Sequence, residues 1–413
     1  LSLNKFKECN VLVTGISGFV GPHLVKNLLD DGANVYGLVR RRSDGNLRRG
    51  LVDLGIDKQV TLIEGSVEDL TSLLTAIDRS QPDYVFHLAA QSFVERSFIN
   101  PLETFQTNAA GTTNLLEALR IKDRNDTKFI FAGSSEEYGL VFSSQRQLES
   151  YLKEHGDIFP YPVRIPELPI KETNPLRPMS PYAVSKVYGE YITLNYHRSY
   201  GLKTLVARAF NHEGARRGST FVTSTIARQV VQLRYGSIDR IKIGNVNTFR
   251  DWSHVEDIVE GYKLLALKGD NGDVYNFGSE RTNSVLTYLC WTLQEAGYIV
   301  QSLSAWKGNK KIDNPAERLK IRKFGVEFEG SRVDELMLGD ELSFLQQDVG
   351  IKVQTSRGDV TIEFDIGRFR PADVPILLSD TRKAKENLGF YTHQGLRDII
   401  REQLNYYTAP ERR

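Results

Sequence analysis

Cysteine is scarce in this 413-residue chain: Cys9 and Cys290 are the only two, far apart and with no CxxC. A disulfide framework and a cysteine-held zinc site are therefore not expected, and a reducing compartment, the cytoplasm, is. The seven histidines show no metal-ligand spacing, so no metal is expected either. Long apolar runs are missing, which argues against a membrane span. The opening LSLNKFKECNVLVTG has no apolar h-region ahead of its first strand, so no secretory signal is expected. An excess of charge of either sign is also lacking. Lys plus Arg number 53 against 52 Asp plus Glu, a net charge of +1, and nothing in that balance points to nucleic acid or an anionic membrane as a partner. Repeats and low-complexity tracts are absent.

What is present is alternation. NVLVTG (10–15) reads as a strand and FVGPHLVKNLLDDG (19–32) as a helix with Val20, Leu24, Leu28 and Leu29 on one face and Gly32 as a stop. Strand-like NVYGLV, QVTLIEG, YVFHLAA, KFIFAGSS and TLVARAFN follow, with helical LTSLLTAIDRS, NAAGTTNLLEALR and ITLNYHRSYG among them; VYNFG (274–278) reads as one more strand. This pattern predicts an α/β fold: a doubly wound parallel sheet of Rossmann type with a smaller, mixed α/β substrate lobe. The expected boundaries are 1–210, with 250–280 returning to the same domain, then 211–249 and 281–413 for the lobe. Two stretches break the rhythm. Residues 141–170 hold a Pro-rich piece, and residues 303–364 read as charged and irregular apart from a hairpin about Ser356-Arg357-Gly358. Both are read as additions on the ligand side of the sheet, since neither has the composition of a flexible tether.

VLVTGISGFVG sets Gly15, Gly18 and Gly21 between a strand and a helix, as GxxGxxG. Such a loop suits a dinucleotide, with the pyrophosphate on the helix N-terminus, and Ser17, Phe19 and Val20 lie in it. The second strand runs into Arg40, Arg41 and Arg42, where an NAD site would carry an acid. Arginines there suit a 2′-phosphate, so NADP is expected ahead of NAD; the competing reading is a solvated basic loop.

SPYAVSKVYGE adds Tyr182 and Lys186, a YxxxK pair on one helix face. With TGxxGxxG, this resembles the extended short-chain dehydrogenase/reductases. LAAQSFVERSF, SSEEYG, FNHEGARRGSTFVT, FRDWSHVEDIVEG and FRPADVPILLSDTRKAKENLGF extend the likeness nearly end to end. They are similar to the nucleotide-sugar 4,6-dehydratases, above all those acting on GDP-mannose.

The resemblance implies oxidation at C4, loss of water across C5 and C6, and return of the hydride to C6, with GDP-mannose or a related GDP-sugar as substrate. Tyr182 is the implied base at the C4 hydroxyl, assisted by Lys186. Ser134 is the implied partner of the C4 oxygen, Ser135 lies near the leaving group, and Glu136 takes the C5 proton. The competing readings are an ordinary turn acid for Glu136 and, for the whole chain, an epimerase or 4-keto-sugar reductase. Glu137 is expected to point away from Glu136 into a solvent or structural role if strand alternation continues. Implied cofactor contacts are Ser66, Val67, Leu88, Ala89, Ala90, Ser92, Tyr182, Lys186, His212 and Arg217; implied substrate contacts are Gln91, Ser92, Asn211, Val222, Arg250 and Arg370. For Arg250 the alternative is an ion pair with Asp251 or another acid, and His87 is expected to be a packed strand residue. Ser134 in place of threonine, Ser66-Val67 in place of an adenine-binding acid, Glu103 in place of tyrosine, and Ser224-Thr225 in place of Arg-Lys depart from the family pattern. The family also implies a homodimer through a helix pair, or a homotetramer using the arginine loop.

Overall fold

The structure, a computed structural model, describes residues 5–41 and 49–412. Seven strands, β1 (Asn10–Thr14), β2 (Asn34–Val39), β3 (Thr61–Glu64), β4 (Tyr84–His87), β5 (Lys128–Ser134), β6 (Lys203–Ala209) and β7 (Asp273–Phe277), form one sheet. Their order is β3-β2-β1-β4-β5-β6-β7, and every neighbouring pair is parallel. Alternate side chains of single strands feed two different cores. Val11, Val13 and Ile130 join one, with Leu24, Val25 and Leu28 of helix α1 (Val20–Asp30) and Ile258 and Val259 of α5 (Val255–Lys268). Leu12, Phe129 and Phe131 join the other, with Leu73 and Ile77 of α2 (Leu70–Ser80) and Leu115 and Leu119 of α3 (Gly111–Ile121). A strand apolar on both faces needs cover on both, and this is why the sheet is wound twice. The order reverses between β1 and β4, so a crevice opens at the C-terminal ends of those strands.

One helix, α4 (Pro181–Tyr200), spans both SPYAVSK and ITLNYHRSYG. Ser180 starts it by accepting the N–H of Ala183 at 3.1 Å, Pro181 occupies the first turn, and Gly201 ends it at φ 74°.

Residues 303–364 are not irregular. Val300–Ala305, Lys311–Asp313, Gly350–Thr355 and Gly358–Phe364 build a five-stranded sheet with Arg240–Ile243, and Arg318–Lys323 pairs with Val326–Ser331. The hairpin expected around 356–358 is present, with Thr355 opposite Gly358. Ile351 and Val353 are buried while Lys352 and Gln354 face outward. A strand alternating in this way reads as polar on average, which is what disguised the sheet in the sequence. The segment shares a large core with Ile226, Trp252, Leu289 and Ile399. Residues 141–170 carry a helix (Gln145–His155) over a small core of Phe142, Leu148 and Ile158. They are anchored by the buried guanidinium of Arg177, which donates to Glu167 at 2.7 and 2.9 Å and to the carbonyl of Pro160 at 2.7 Å.

Because Ser180 alone caps α4 with its side chain, Ser180→Ala is expected to cost about 1 kcal/mol of stability. A lower denaturant midpoint with an unchanged m value is the sign to look for.

Candidate active site

One cavity of about 910 Å³ runs along the C-terminal edge of the sheet. Gly15, Ser17, Gly18, Phe19, Val20 and Gly21 line it after β1, Arg40 after β2, and Ser66 and Val67 after β3. Leu88, Ala89, Ala90, Gln91 and Ser92 follow β4, Ser134, Ser135 and Glu136 follow β5, and Asn211, His212 and Arg217 follow β6. Tyr182 and Lys186 of α4 and Val222, Arg250 and Arg370 complete the expected set. Arg41 is exposed and does not line the cavity, and Arg42 lies outside the described residues. No residue of 141–170 or 303–364 lines it.

At one end the chain turns tightly onto α1. Gly15 has φ 74°, and a Cβ there would lie 2.7 Å from the backbone nitrogen of Ala89; at Gly21 one would lie 2.6 Å from the carbonyl oxygen of Gly15. Side chains are thus excluded where backbones meet, and α1 begins with no side-chain cap and no acid in its first turn. Its free N–H groups form an anion cradle. Thr14 secures the floor: its hydroxyl accepts the Ala89 N–H at 3.2 Å and pairs with His87 Nδ1 at 2.8 Å. His87 also meets Thr112 at 3.0 Å, and burial pushes it down to about 3, so it is the packed strand histidine expected.

In the middle lies the polar cluster. Tyr182 and Lys186 sit one turn apart on α4, both buried. Lys186 Nζ donates to the carbonyl of Ala132 at 2.8 Å and lies 6.0 Å from the Tyr182 ring centre. Burial pushes the Tyr182 phenol up to about 12, against a hydrogen bond from Ser134 that pulls it down, and burial pushes Lys186 down to about 8. The positive charge that lowers the phenol is that of Arg217, and burial outweighs it. Ser134 ends β5 and caps the single 3-10 turn Ser135–Glu137, its hydroxyl accepting the N–H of Glu136 at 3.2 Å. Glu136 faces the cavity, whereas Glu137 is wholly buried. The strand alternation assumed for Glu137 fails because the chain leaves extended geometry at Ser135; its role is structural and not solvent-facing.

Other expected residues show their partners. His212 accepts no charge readily: burial takes it down to about 4, and its ring stacks on Phe19. Arg217 lies 3.6 Å over the Phe221 ring, and its Nε, 3.4 Å from a Glu213 oxygen, has no hydrogen-bond partner among the described residues. Asn211 presents a buried Oδ1 that also lacks one. Gln91 spends its amide locally, on Phe93 and Thr104. At the far end, Arg250 pairs not with Asp251 but with Asp373 at 3.0 Å, and Arg370 reaches the same carboxylate at 3.6 Å. Glu103 pairs with Arg96 at 2.8 Å, and Ser224 and Thr225 bond backbone oxygens of the 217–219 loop. Val222 opens a 13-residue helix, Val222–Arg234, with no side-chain cap.

The sequence reading missed Asn108, Phe221, Asn245 and Asp373. Asn108 lies in a π-helical turn, Phe105–Ala110, and bonds both Gln91 and Ser185, so it joins the β4 loop to α4. Its signal would have been a local irregularity of helix phase, which periodicity averages away.

Comparison with known proteins identifies the relatives of this chain. Residues 11–278 match the NAD dependent epimerase/dehydratase family, and residues 164–403 match GDP-mannose 4,6 dehydratase. The chain is 31% identical to the GDP-mannose 4,6-dehydratase of Yersinia enterocolitica, over 95% of this chain and 92% of that one. Against the human GDP-mannose 4,6 dehydratase it is 28% identical, over 95% and 90%. Among solved structures, RMD from Pseudomonas aeruginosa complexed with NADPH superposes with a TM-score of 0.65 at 22% identity, covering 97% of this chain and 99% of that one. The UDP-glucose 4-epimerase of Thermotoga maritima gives 0.65 at 24%, covering 96% and 98%, so the fold is shared with epimerases.

Lys186 has a measurable signature. Its ammonium falls from 10.5 to about 8 on folding, so between these values the folded chain binds fewer protons than the unfolded one. Stability therefore rises with pH from about 8 towards 10, and the whole penalty stands below 8. Lys186→Met is expected to be more stable than the native chain at pH 7 by up to about 3 kcal/mol and to lose that rise, as denaturant titrations across the pH range will report. From the matched families and the relatives aligned along nearly its whole length, the chain belongs to the GDP-mannose 4,6-dehydratase family of nucleotide-sugar 4,6-dehydratases.

Proposed function

We propose that this enzyme is an NADP-dependent dehydratase converting GDP-mannose, or a related GDP-sugar, to the 4-keto-6-deoxy sugar nucleotide. The observation that carries the reading is Glu136 facing the same cavity as Tyr182, Lys186 and Ser134. Epimerisation needs no second base near C5; elimination does.

The anion cradle at α1 and the packed glycines fit a dinucleotide, and Arg40 at the end of β2 fits a 2′-phosphate. When bound, NADP supplies the hydride acceptor for C4 and the donor for C6. This chain's own groups do the rest. Tyr182 as phenolate accepts the C4 hydroxyl proton; its phenol is high in the free protein, Ser134 and Arg217 lower it, and the Lys186 ammonium one turn along α4 is assigned to steady the phenolate. Ser134 also holds the C4 oxygen. Glu136 removes the C5 proton, which a C4 ketone acidifies, and Ser135 stands near the departing hydroxyl. At the far end, the uncapped helix beginning at Val222 and the guanidinium groups of Arg250 and Arg370 suit the sugar nucleotide's diphosphate, displacing Asp373 from its two arginines. Asn211, with its unpartnered oxygen, is assigned to a sugar or phosphate-proximal hydroxyl.

A dimer is part of the proposal. Leu102 (78% exposed), Ile99 (76%), Tyr191 (60%) and Val184 (53%) crowd the adjoining helical surfaces of 94–110 and α4, an apolar patch that a second copy would cover.

Incubated with GDP-mannose and NADP⁺, the protein should yield a product lighter by one water without added reductant, and more slowly with NAD⁺. Product of unchanged mass, or none, overturns the reading. Glu136→Gln is expected to lower turnover by about 10²–10⁴-fold while nucleotide binding persists. Light scattering should give a dimer mass for the native chain and a monomer mass for Leu102→Asp/Tyr191→Asp.

A further inference from the structure

Glu137 has an environment unlike that of its neighbour. Its Oε1 accepts the backbone N–H of Ser134 at 2.7 Å, and Gly133 leaves the space, since a Cβ there would lie 2.8 Å from that oxygen. Across from it stand Glu190 of α4 and Arg208 of β6, both buried. Arg208 grips Glu190 through Nε at 2.7 Å and Nη2 at 2.5 Å, and its Nη1 donates to the Tyr138 hydroxyl at 2.8 Å and the Glu172 carbonyl at 2.9 Å. Four of the guanidinium's five N–H groups are committed. Glu137 Oε2 comes no nearer to Arg208 Nε than 3.8 Å and, as a carboxylate, finds no donor among the described residues, while the Glu190 carboxyl lies within hydrogen-bond reach of Glu137. Two carboxyl groups thus share one cation that already belongs to Glu190. Burial, with Glu190 beside it, holds the Glu137 carboxyl well above the usual range.

We propose that Glu137 is a positioning residue, kept as a neutral carboxylic acid that donates to Glu190 and accepts from Ser134, so that it fixes the Ser134–Glu136 turn without placing a counter-charge beside Lys186. The titratable and charged groups that interact with it are Tyr182, Lys186 and Glu190 on α4 and Arg208 on β6; Tyr138 and Glu172 stand on the other side of the guanidinium. An ionised Glu137 is among the charges that raise the Tyr182 phenol and oppose its loss of a proton. Neutral, it orients the turn at no electrostatic cost to the base.

The turnover part of the test rests on the dehydratase reading; the spectroscopic part does not. In infrared difference spectra of the full-length native protein and Glu137→Gln at neutral pH, the native chain should show the C=O stretch of a protonated carboxyl that the variant lacks. With GDP-mannose and NADP⁺, Glu137→Gln, which reproduces both hydrogen bonds of the neutral acid, should keep kcat within about three-fold, while Glu137→Leu should lose about 10–100-fold in kcat with KM little changed. A carboxylate band in place of the protonated one, a hundred-fold slower Glu137→Gln, or a Glu137→Leu as fast as the native chain would overturn the proposal. If Glu137→Leu does not fold, the infrared comparison decides. Absence of turnover in the native chain counts against the dehydratase reading and leaves the band to be measured.

Discussion

The ion pair between Arg208 and Glu190 is what the site hangs on. Tyr182, Lys186 and Glu190 fall at four-residue intervals along one stripe of α4, so whatever holds Glu190 also holds the other two. Arg208 sits on β6 directly opposite Gly133 of β5, one residue before Ser134. The same guanidinium bonds the Tyr138 hydroxyl, which passes on to Asn276 of β7. One buried cation therefore joins the helix carrying the tyrosine and lysine, the strand end carrying Ser134, and the turn carrying Glu136. Removing either partner of such a pair leaves an uncompensated buried charge, at a cost of about 3–5 kcal/mol.

Around that anchor, burial does two opposite things. It raises the Tyr182 phenol and lowers the Lys186 ammonium, drawing an acid and a base whose ordinary values differ little toward a reversed order. Adjacent acids are sorted by one short turn: Glu136 reaches the cavity, and Glu137 is folded back under the strand.

Two helix starts without side-chain caps line the cavity. One is the start of α1 behind the glycine loop; the other is the start of the Val222–Arg234 helix with Arg250 and Arg370. Tyr182, Ser134 and Glu136 line the same cavity. On the proposed reading, a dinucleotide and a sugar nucleotide would each set a diphosphate on one of these helix starts and meet over those three side chains.

The doubly wound sheet was legible in the sequence because a strand buried on both faces is apolar throughout, as in NVLVTG and KFIFA. The glycine loop and the Tyr182/Lys186 pair were legible because close backbone approach and helix periodicity each leave a local mark. The five-stranded sheet within 300–364 was hidden, since one solvated face per strand dilutes the apolar signal. Sequence by itself determined the elements, their order and the chemical types gathered at the strand ends. Only the tertiary structure decided that Asp373 and not Asp251 faces Arg250, that Asn108 ties the β4 loop to α4, and that Glu137 turns inward to Arg208 and Glu190. The reason is physical: partners brought together by long-range packing, at separations such as Arg250 to Asp373, leave no periodicity in the chain to be read.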